Sequence, residues 1–351
     1  MSKSFRKIEC MSNSNEDNKK NEARQNQVKE YLKTLEFREI YGDPITSCVV
    51  RNLRVVGDYL YLKLFLGSDQ IKLKEIIENK LKIFSWAKKI YLDLKFIKGV
   101  KRTIAIASGK GGVGKSSVTV GLALNLKKRG YKVGILDADV YGPNIPNIVG
   151  LSEQDVLTKE DNGKVEFIAL DHEDLKIMSV AMLAKSDQSL AWRGPILTRL
   201  LNQFLYQVDW GELDFLLIDL PPGTGDTQIT LLQDSPIVGV ILVTLPGSSS
   251  YSDLIRTTSM YENFGMPIYG LVENMSFYKC PCCSHEEKLF MDETMPNETI
   301  KSKYSLLTSL PFISTKLRIE GINLFLKKEN SKYFDNVCSL IEQKANFKVE
   351  N

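Results

Sequence analysis

The 351-residue chain has almost no excess charge: 46 Lys and Arg against 43 Asp and Glu leave a net +3. That balance argues against a dedicated nucleic-acid or anionic-membrane surface. No apolar run approaches the roughly 20 residues of a membrane span. The N-terminus lacks an apolar h-region and contains Glu9, Glu16 and Asp17. No secretory signal or transit peptide is read there, and a cytoplasmic chain is expected. Six cysteines are too few for a disulfide scaffold, and three of them crowd into positions 280–283. In a cytosolic chain such a cluster points to metal or redox chemistry. There is no internal repeat. With 25% charged and 43% apolar residues, the composition is that of a globular protein.

What is present falls into three stretches. Residues 1–21 are rich in Ser, Asn, Glu and Lys and read as a disordered polar tail. Residues 22–98 read as a small α+β domain. It has a helix near Glu22–Leu35, strands at Ile45–Val56 and Tyr59–Phe65 around a Gly57-Asp58 turn, a helix at Asp69–Leu81 and a strand at Lys89–Phe96. Residues 99–351 alternate strand and helix, with strands expected at 103–107, 132–137, 175–180, 214–219, 237–244 and 267–273. That alternation predicts an α/β fold, a mainly parallel sheet with helices on both faces.

The run Gly109-Lys110-Gly111-Gly112-Val113-Gly114-Lys115-Ser116 fits the P-loop pattern G-x-x-x-x-G-K-[ST] in full. It follows the apolar strand Thr103–Ala107 and precedes a helix at Val118–Lys128, the context the motif requires. Its glycines let backbone N–H groups approach phosphates, and the helix N-terminus adds positive potential at the same place. Lys115 is then the cation for the β- and γ-phosphates of ATP, the Ser116 hydroxyl is a ligand for Mg²⁺, and residues 109–117, Ser117 included, form the nucleotide-binding run. The second lysine, Lys110, is either a solvated loop charge or a further phosphate partner.

Two apolar strands end in carboxylates. One runs into Asp137-Ala138-Asp139, which places Asp139 near the γ-phosphate to orient water and Asp137 nearer the metal; the competing reading is a strand-end Asp capping a turn. The other, Phe215–Asp219, has the Walker B arrangement for Mg²⁺ and continues into Pro221-Pro222-Gly223-Thr224-Gly225-Asp226. Gly223 can offer an N–H to the γ-phosphate, and the stiff loop through Asp226 reads as a phosphate-sensitive switch.

Cys280 and Cys283 form a C-x-x-C pair suited to one metal centre. The chain has no second such pair, and Cys10, Cys48 and Cys338 are scattered. Two copies related by a twofold axis would supply four thiolates. Structural zinc on the same four sulfurs and a thiol–disulfide pair are the alternatives. Cys282 is expected to point away, and His285 reads as a surface histidine.

Together these motifs closely resemble the Mrp/ApbC family of iron–sulfur cluster carrier ATPases, relatives of MinD, ParA and the nitrogenase iron protein. The resemblance runs from about Thr103 to Gly321. It rests on GKGGVGKSS, LDADVYGPNIP, Trp192-Arg193-Gly194-Pro195, DLPPGTGDTQIT and VENMSFYKCP. It implies a homodimer that holds a labile [4Fe–4S] cluster on C-x-x-C pairs, takes it from a cluster or iron/sulfide donor and passes it to apo-proteins. It also implies that Lys110 crosses the dimer interface to the partner's nucleotide and that Asn274 recognises adenine. The sequence departs from the family pattern at four places. Phe65-Leu66-Gly67-Ser68 stands where a Cys-bearing motif is usual, Ser284 replaces a glycine, Met291–Pro296 replaces a Gly-rich stretch, and Gly247-Ser248-Ser249-Ser250 replaces a Gln-containing one.

The competing function is a MinD- or ParA-like ATPase switch in spatial organisation, with structural zinc at the cysteines. A lipid-seeking member would need a basic amphipathic terminal helix. The last helix, about Ser331–Lys344, sets Tyr333, Phe334, Val337, Leu340 and Ile341 against a face of Asp335, Asn336, Glu342 and Gln343, so it reads as a packing helix. No nucleic acid and no membrane partner is expected.

Overall fold

The computed structural model describes residues 15–35, 49–151, 157–161, 164–183, 194–280, 282–290, 302–312 and 322–345. Cys10, Cys48, Trp192, Arg193 and Met291–Pro296 lie outside them. The chain falls into two compact units, one of Met1–Leu64 with Lys72–Leu94, the other of Phe65–Ile71 with Lys95–Asn351.

The smaller unit contains helix α1 (Asn15–Thr34), strands β1 (Val50–Val56) and β2 (Tyr59–Phe65), helix α2 (Leu73–Leu81) and strand β3 (Lys89–Lys95) in a three-stranded sheet of order β1-β2-β3. Helix α1 starts at Asn15, ahead of the expected Glu22. Glu16 and Asp17 in its first turn favour that start, because carboxylates oppose the positive helix end. The polar composition read as a tail therefore belongs partly to a helix. In β2, Leu60, Leu62 and Leu64 are fully buried while Tyr59, Tyr61 and Lys63 alternate with them, the period-2 pattern of a sheet with one covered face.

The larger unit opens with β4 (Val100–Ser108), the P-loop helix α3 (Lys115–Lys128), β5 (Val133–Asp137) and the short α4 (Ile145–Val149). Four strands follow, β6 (Leu157–Asp161), β7 (Lys164–Ile168), β8 (Leu170–His172) and β9 (Leu175–Ser179). Next come α5 (Gly194–Tyr206), β10 (Val208–Asp209), β11 (Leu213–Asp219), α6 (Asp226–Asp234), β12 (Ile237–Thr244) and α7 (Ser248–Asn263). The chain then forms β13 (Ile268–Lys279), β14 (Glu286–Lys288), β15 (Leu306–Pro311), α8 (Asn323–Leu326), α9 (Lys328–Ser331) and α10 (Asp335–Ala345).

The main sheet has the order β14-β13-β12-β4-β11-β5-β9-β8, with β15 also on β13. All pairs along it are parallel except the outer β13–β14 and β8–β9. Its central strands are apolar on both sides because helices cover both faces. One core joins α5, α6 and α7 to the sheet through Phe204, Leu231, Tyr251 and Leu254. The other joins α3, α8 and α10 through Leu122, Leu126, Phe325, Val337 and Ile341. The expected mainly parallel sheet with helices on both faces is present. The small sheet β10-β7-β6 and strand β15 had no sequence signal strong enough to read.

Arg129, at the end of α3, ties that helix to α10. Its guanidinium donates to Glu342 at 2.9 and 3.1 Å, to the Asp335 carboxylate at 3.1 Å and to Ser339 at 3.2 Å. Arg129→Ala is expected to destabilise the protein by ~1–2 kcal/mol, since charge-assisted hydrogen bonds in a partly exposed cluster are lost. Urea unfolding with an unchanged m-value checks this, and a midpoint equal to wild type would refute it.

Candidate functional site

Nucleotide loops in open parallel sheets sit at the carboxyl ends of the strands, and the motifs gather there. β4 leads into residues 109–114 and α3 begins at Lys115. Gly114 has φ 79°, which favours glycine, and a Cβ there would lie 2.2 Å from Asn274 Nδ2 and displace that side chain. A cavity of about 340 Å³ is lined by Lys110–Ser117, Asp139, Tyr141, Gly142, Asn144 and Pro222.

Asp137 and Asp219 are register partners on the adjacent strands β5 and β11. Both are fully buried, and like charges placed side by side oppose each other. Lys115 answers them. Its Nζ is 2.8 Å from Asp219 Oδ2 and 3.4 Å from Asp139 Oδ2, with the side chain 5% exposed. It nevertheless makes no hydrogen bond of good geometry, so the buried ammonium has unused donors beside the cavity. Phosphate oxygens suit such a group. The loop glycines and this lysine therefore fit a nucleotide phosphate chain.

Ser116 Oγ donates to Asp219 Oδ2 at 2.6 Å, and Thr119 Oγ1 donates to Asp219 Oδ1 at 2.8 Å. The hydroxyl and carboxylate oxygens of Ser116 and Asp219 form the hard donor set that Mg²⁺ prefers. Asp137 is engaged differently. It accepts from Ser179 Oγ at 2.9 Å, from the Ile145 N–H at 3.2 Å and from the Asp139 N–H at 3.3 Å. Burial first, and then Asp219 beside it, push its carboxyl up to about 7 against the pull of Ser179, Ile145 and Lys115. Asp139 lines the cavity and accepts from the Gly142 N–H at 3.3 Å.

The other expected residues are placed as follows. Lys110 reaches within its own chain to Ser249 Oγ at 3.4 Å. The Gly223 N–H was expected to face the γ-phosphate; it donates instead to the Ser108 carbonyl at 3.0 Å, and that engagement holds the loop against the end of β4. Asp226 is exposed in the first turn of α6. Asn274 donates from Nδ2 to the Val113 carbonyl at 2.9 Å.

Asn274 also lines a second, narrower cavity of about 60 Å³, with Ser117, Met275, Leu310, Pro311, Phe312, Asn330 and Tyr333. Sequence reasoning missed this wall. Leu310 to Tyr333 come from β15 and the segments between it and α10, far along the chain from the P-loop.

β13 runs on from Asn274 to Lys279 and ends at the cysteine turn. β13 and β14 form a hairpin closed by the Cys280 N–H donating to the His285 carbonyl and the Ser284 N–H donating to the Cys280 carbonyl, both at 2.9 Å. Ser284, which replaces a glycine of the family pattern, has φ 59°. Cys282 and Cys283 are exposed and Cys280 is half-buried. The backbone N–H of Cys283, then that of Cys282 and the neighbouring thiols, hold the Cys280 thiol below its ordinary value. Cys282, expected to point away, is exposed, and its backbone N–H faces Cys280. Among the described residues no group of three or more His, Cys, Asp or Glu could hold a metal ion. Cys338 is buried in the α3–α10 core, where burial pushes its thiol up to about 12.

The raised Asp137 has a consequence for stability. The folded protein keeps this proton up to about pH 7, whereas an ordinary carboxyl releases it near 3.8. The folded state therefore binds more protons across that window, and stability falls as pH rises through it. The penalty is absent below the ordinary value and complete above pH 7. Asp137→Asn in nucleotide-free protein should gain on wild type steadily from about pH 4 to pH 8. Urea unfolding along a pH series checks it, and a pH-independent difference would contradict it.

The chain is similar to the iron-sulfur cluster carrier protein of Haemophilus influenzae, 37% identical over 306 residues that cover 82% of this chain and 81% of that one. It is similar to the iron-sulfur cluster carrier protein of Helicobacter pylori, 36% identical over 315 residues, 85% and 84% of the two chains. Its structure is similar to that of a nucleotide-binding protein from Archaeoglobus fulgidus in complex with ADP, with 34% identity, a TM-score of 0.54 and coverage of 67% of this chain and 89% of that one. The ParA profile, described as NUBPL iron-transfer P-loop NTPase, matches residues 99–344. The chain belongs to the NUBPL iron-transfer P-loop NTPase family.

Proposed function

We propose that the protein is an ATPase that carries a [4Fe–4S] cluster as cargo between two copies of itself and delivers it to apo iron–sulfur proteins. One observation carries this reading. A single strand, β13, supplies Asn274 to the P-loop and ends five residues later in the cysteine turn. Nucleotide site and thiol site therefore share one backbone element. Relatives named as iron–sulfur cluster carriers and the ADP complex of a protein of similar structure support the two halves.

The roles follow from the chemistry of the side chains. The P-loop N–H groups and Lys115 bind the phosphates, and Lys115 exchanges its carboxylate partners for phosphate oxygens as ATP enters. Ser116 and Asp219 would hold Mg²⁺, which neutralises phosphate charge when bound, with Asp137 behind them. Asp139, on the cavity wall, orients the attacking water. Lys110 leaves Ser249 to reach the partner's nucleotide, and the Gly223–Asp226 loop reports the γ-phosphate. Ser117, Asn274 and the narrow apolar cavity receive the base. Cys280 and Cys283 give two thiolates per chain, so a four-ligand site is incomplete without a second copy. A cluster held by a turn this exposed is accessible to a donor and to a client.

Anaerobic reconstitution with iron and sulfide tests the thiol half. Wild type should bind about four irons per dimer with visible absorbance, and Cys280→Ala/Cys283→Ala should lose both while still binding ATP. Cys282→Ala should keep the cluster. Tightly bound zinc with no cluster would overturn the carrier reading in favour of a structural site. For the nucleotide half, Lys115→Ala should lower ATP turnover by about a hundredfold or more, the range for removing a preorganised charge partner. An unchanged rate would remove Lys115 from the site.

A further inference from the structure

The carboxylate of Glu273 has no part in the roles above, yet it lies at the centre of the nucleotide site's framework. It is 6% exposed. Its partners include the Tyr251 hydroxyl, which donates to Oε1, and the Ser309 hydroxyl, which donates to Oε2 at 3.2 Å. Those two residues belong to α7 and β15, so one side chain on β13 bridges three elements. Buried polar networks of this kind are costly when incomplete, because each orphaned group lacks both water and partner.

Two contacts link this network to the P-loop. On one side is α7. A Cβ at Gly109 would lie 2.7 Å from the Asp253 carbonyl carbon and 2.8 Å from the Leu254 nitrogen, so the α7 backbone touches the first loop glycine. On the other side is Asn274, next in sequence to Glu273, which donates to the Val113 carbonyl at 2.9 Å. The path from Gly109 through α7, Tyr251, Glu273 and Asn274 to Val113 closes a ring around the loop.

The strand pays for this arrangement with strain. Met275 has φ 52°, a left-handed conformation that side-chain-bearing residues adopt rarely and only where the surroundings impose it. The β13–β15 register shifts between Glu273 and Phe277, and the Ser276 hydroxyl closes the kink by donating to the Glu273 carbonyl at 3.1 Å. Asn274, which reaches the loop, lies between Glu273, whose side chain is held by Tyr251 and Ser309, and the left-handed Met275.

We propose that Glu273 is a positioning residue for nucleotide binding, which acts through Asn274 by clamping β13 to α7 and β15 and so sets the shape of the phosphate loop. The proposal rests on the nucleotide reading given above. It predicts coupling as well as loss, and a double-mutant cycle measures coupling.

The test is the Kd of full-length protein for N-methylanthraniloyl-ADP with Mg²⁺. Glu273→Ala and Asn274→Ala should each weaken binding by about tenfold, the scale of one lost hydrogen bond. The double variant should also be weaker by about tenfold rather than a hundredfold, since both changes break the same link. Glu273→Gln, which keeps an acceptor for Tyr251, should recover most of the affinity. If Glu273→Ala does not fold, Tyr251→Phe replaces it in the cycle, because the ring still fills its site. Multiplicative losses, or wild-type affinity in Glu273→Ala or Tyr251→Phe, would overturn the role of Glu273 and leave the nucleotide site standing. A wild type that binds no labelled ADP would instead remove the nucleotide reading and this proposal with it.

Discussion

Two buried carboxylates set side by side at the ends of adjacent parallel strands are the constraint on which this site depends. Asp137 and Asp219 are brought into register by the pairing of β5 with β11, and neither is accessible to water. Such a pair is tolerated only if charge is withheld or answered. Both happen here. Burial and the neighbouring Asp219 push the Asp137 carboxyl up to about 7, and Lys115 places its ammonium 2.8 Å from Asp219. In the proposed reading the same lysine is the phosphate-binding cation of the loop. The ground state of the site is thus an ion pair that a phosphate group can replace, at a place where the sheet, the loop and the start of α3 meet.

The second organising element is β13. Parallel strands in this sheet are short and end where the nucleotide loops begin, but β13 continues for 12 residues. Its first half belongs to the sheet through β12 and β15, and its last residues pair with β14 in the hairpin that displays the cysteines. A left-handed residue at Met275 separates the halves. In the proposed carrier, this geometry gives a direct path between nucleotide and cargo, since a change at Asn274 moves along a strand rather than through a flexible linker.

In the proposed carrier the cysteine turn needs little protein around its cargo. Backbone N–H groups of Cys282 and Cys283 favour the thiolate of Cys280, the form that ligates metal. The chain supplies two suitably spaced thiols on an exposed tip, and the described residues offer no third ligand group. Exposure and incompleteness are liabilities for a permanent metal centre. They are suitable properties for a centre that has to be received and handed on.

The P-loop, the carboxylate-ended strands and the C-x-x-C pair were legible in the sequence because each is local. A glycine run between a strand and a helix, or an apolar run ending in Asp, carries its geometry within about ten residues. The same holds for the alternation that predicted a mainly parallel sheet. Tertiary structure alone decided which local pieces became neighbours. It set Asp137 opposite Asp219, and turned the Gly223 N–H to Ser108. It built a narrow cavity from Ser117, Pro311 and Tyr333, and joined Tyr251 to Glu273 across α7 and β13. Each of these depends on strand order and register. Those are set by the packing of many residues on both faces of the sheet at once, which no short stretch of sequence encodes.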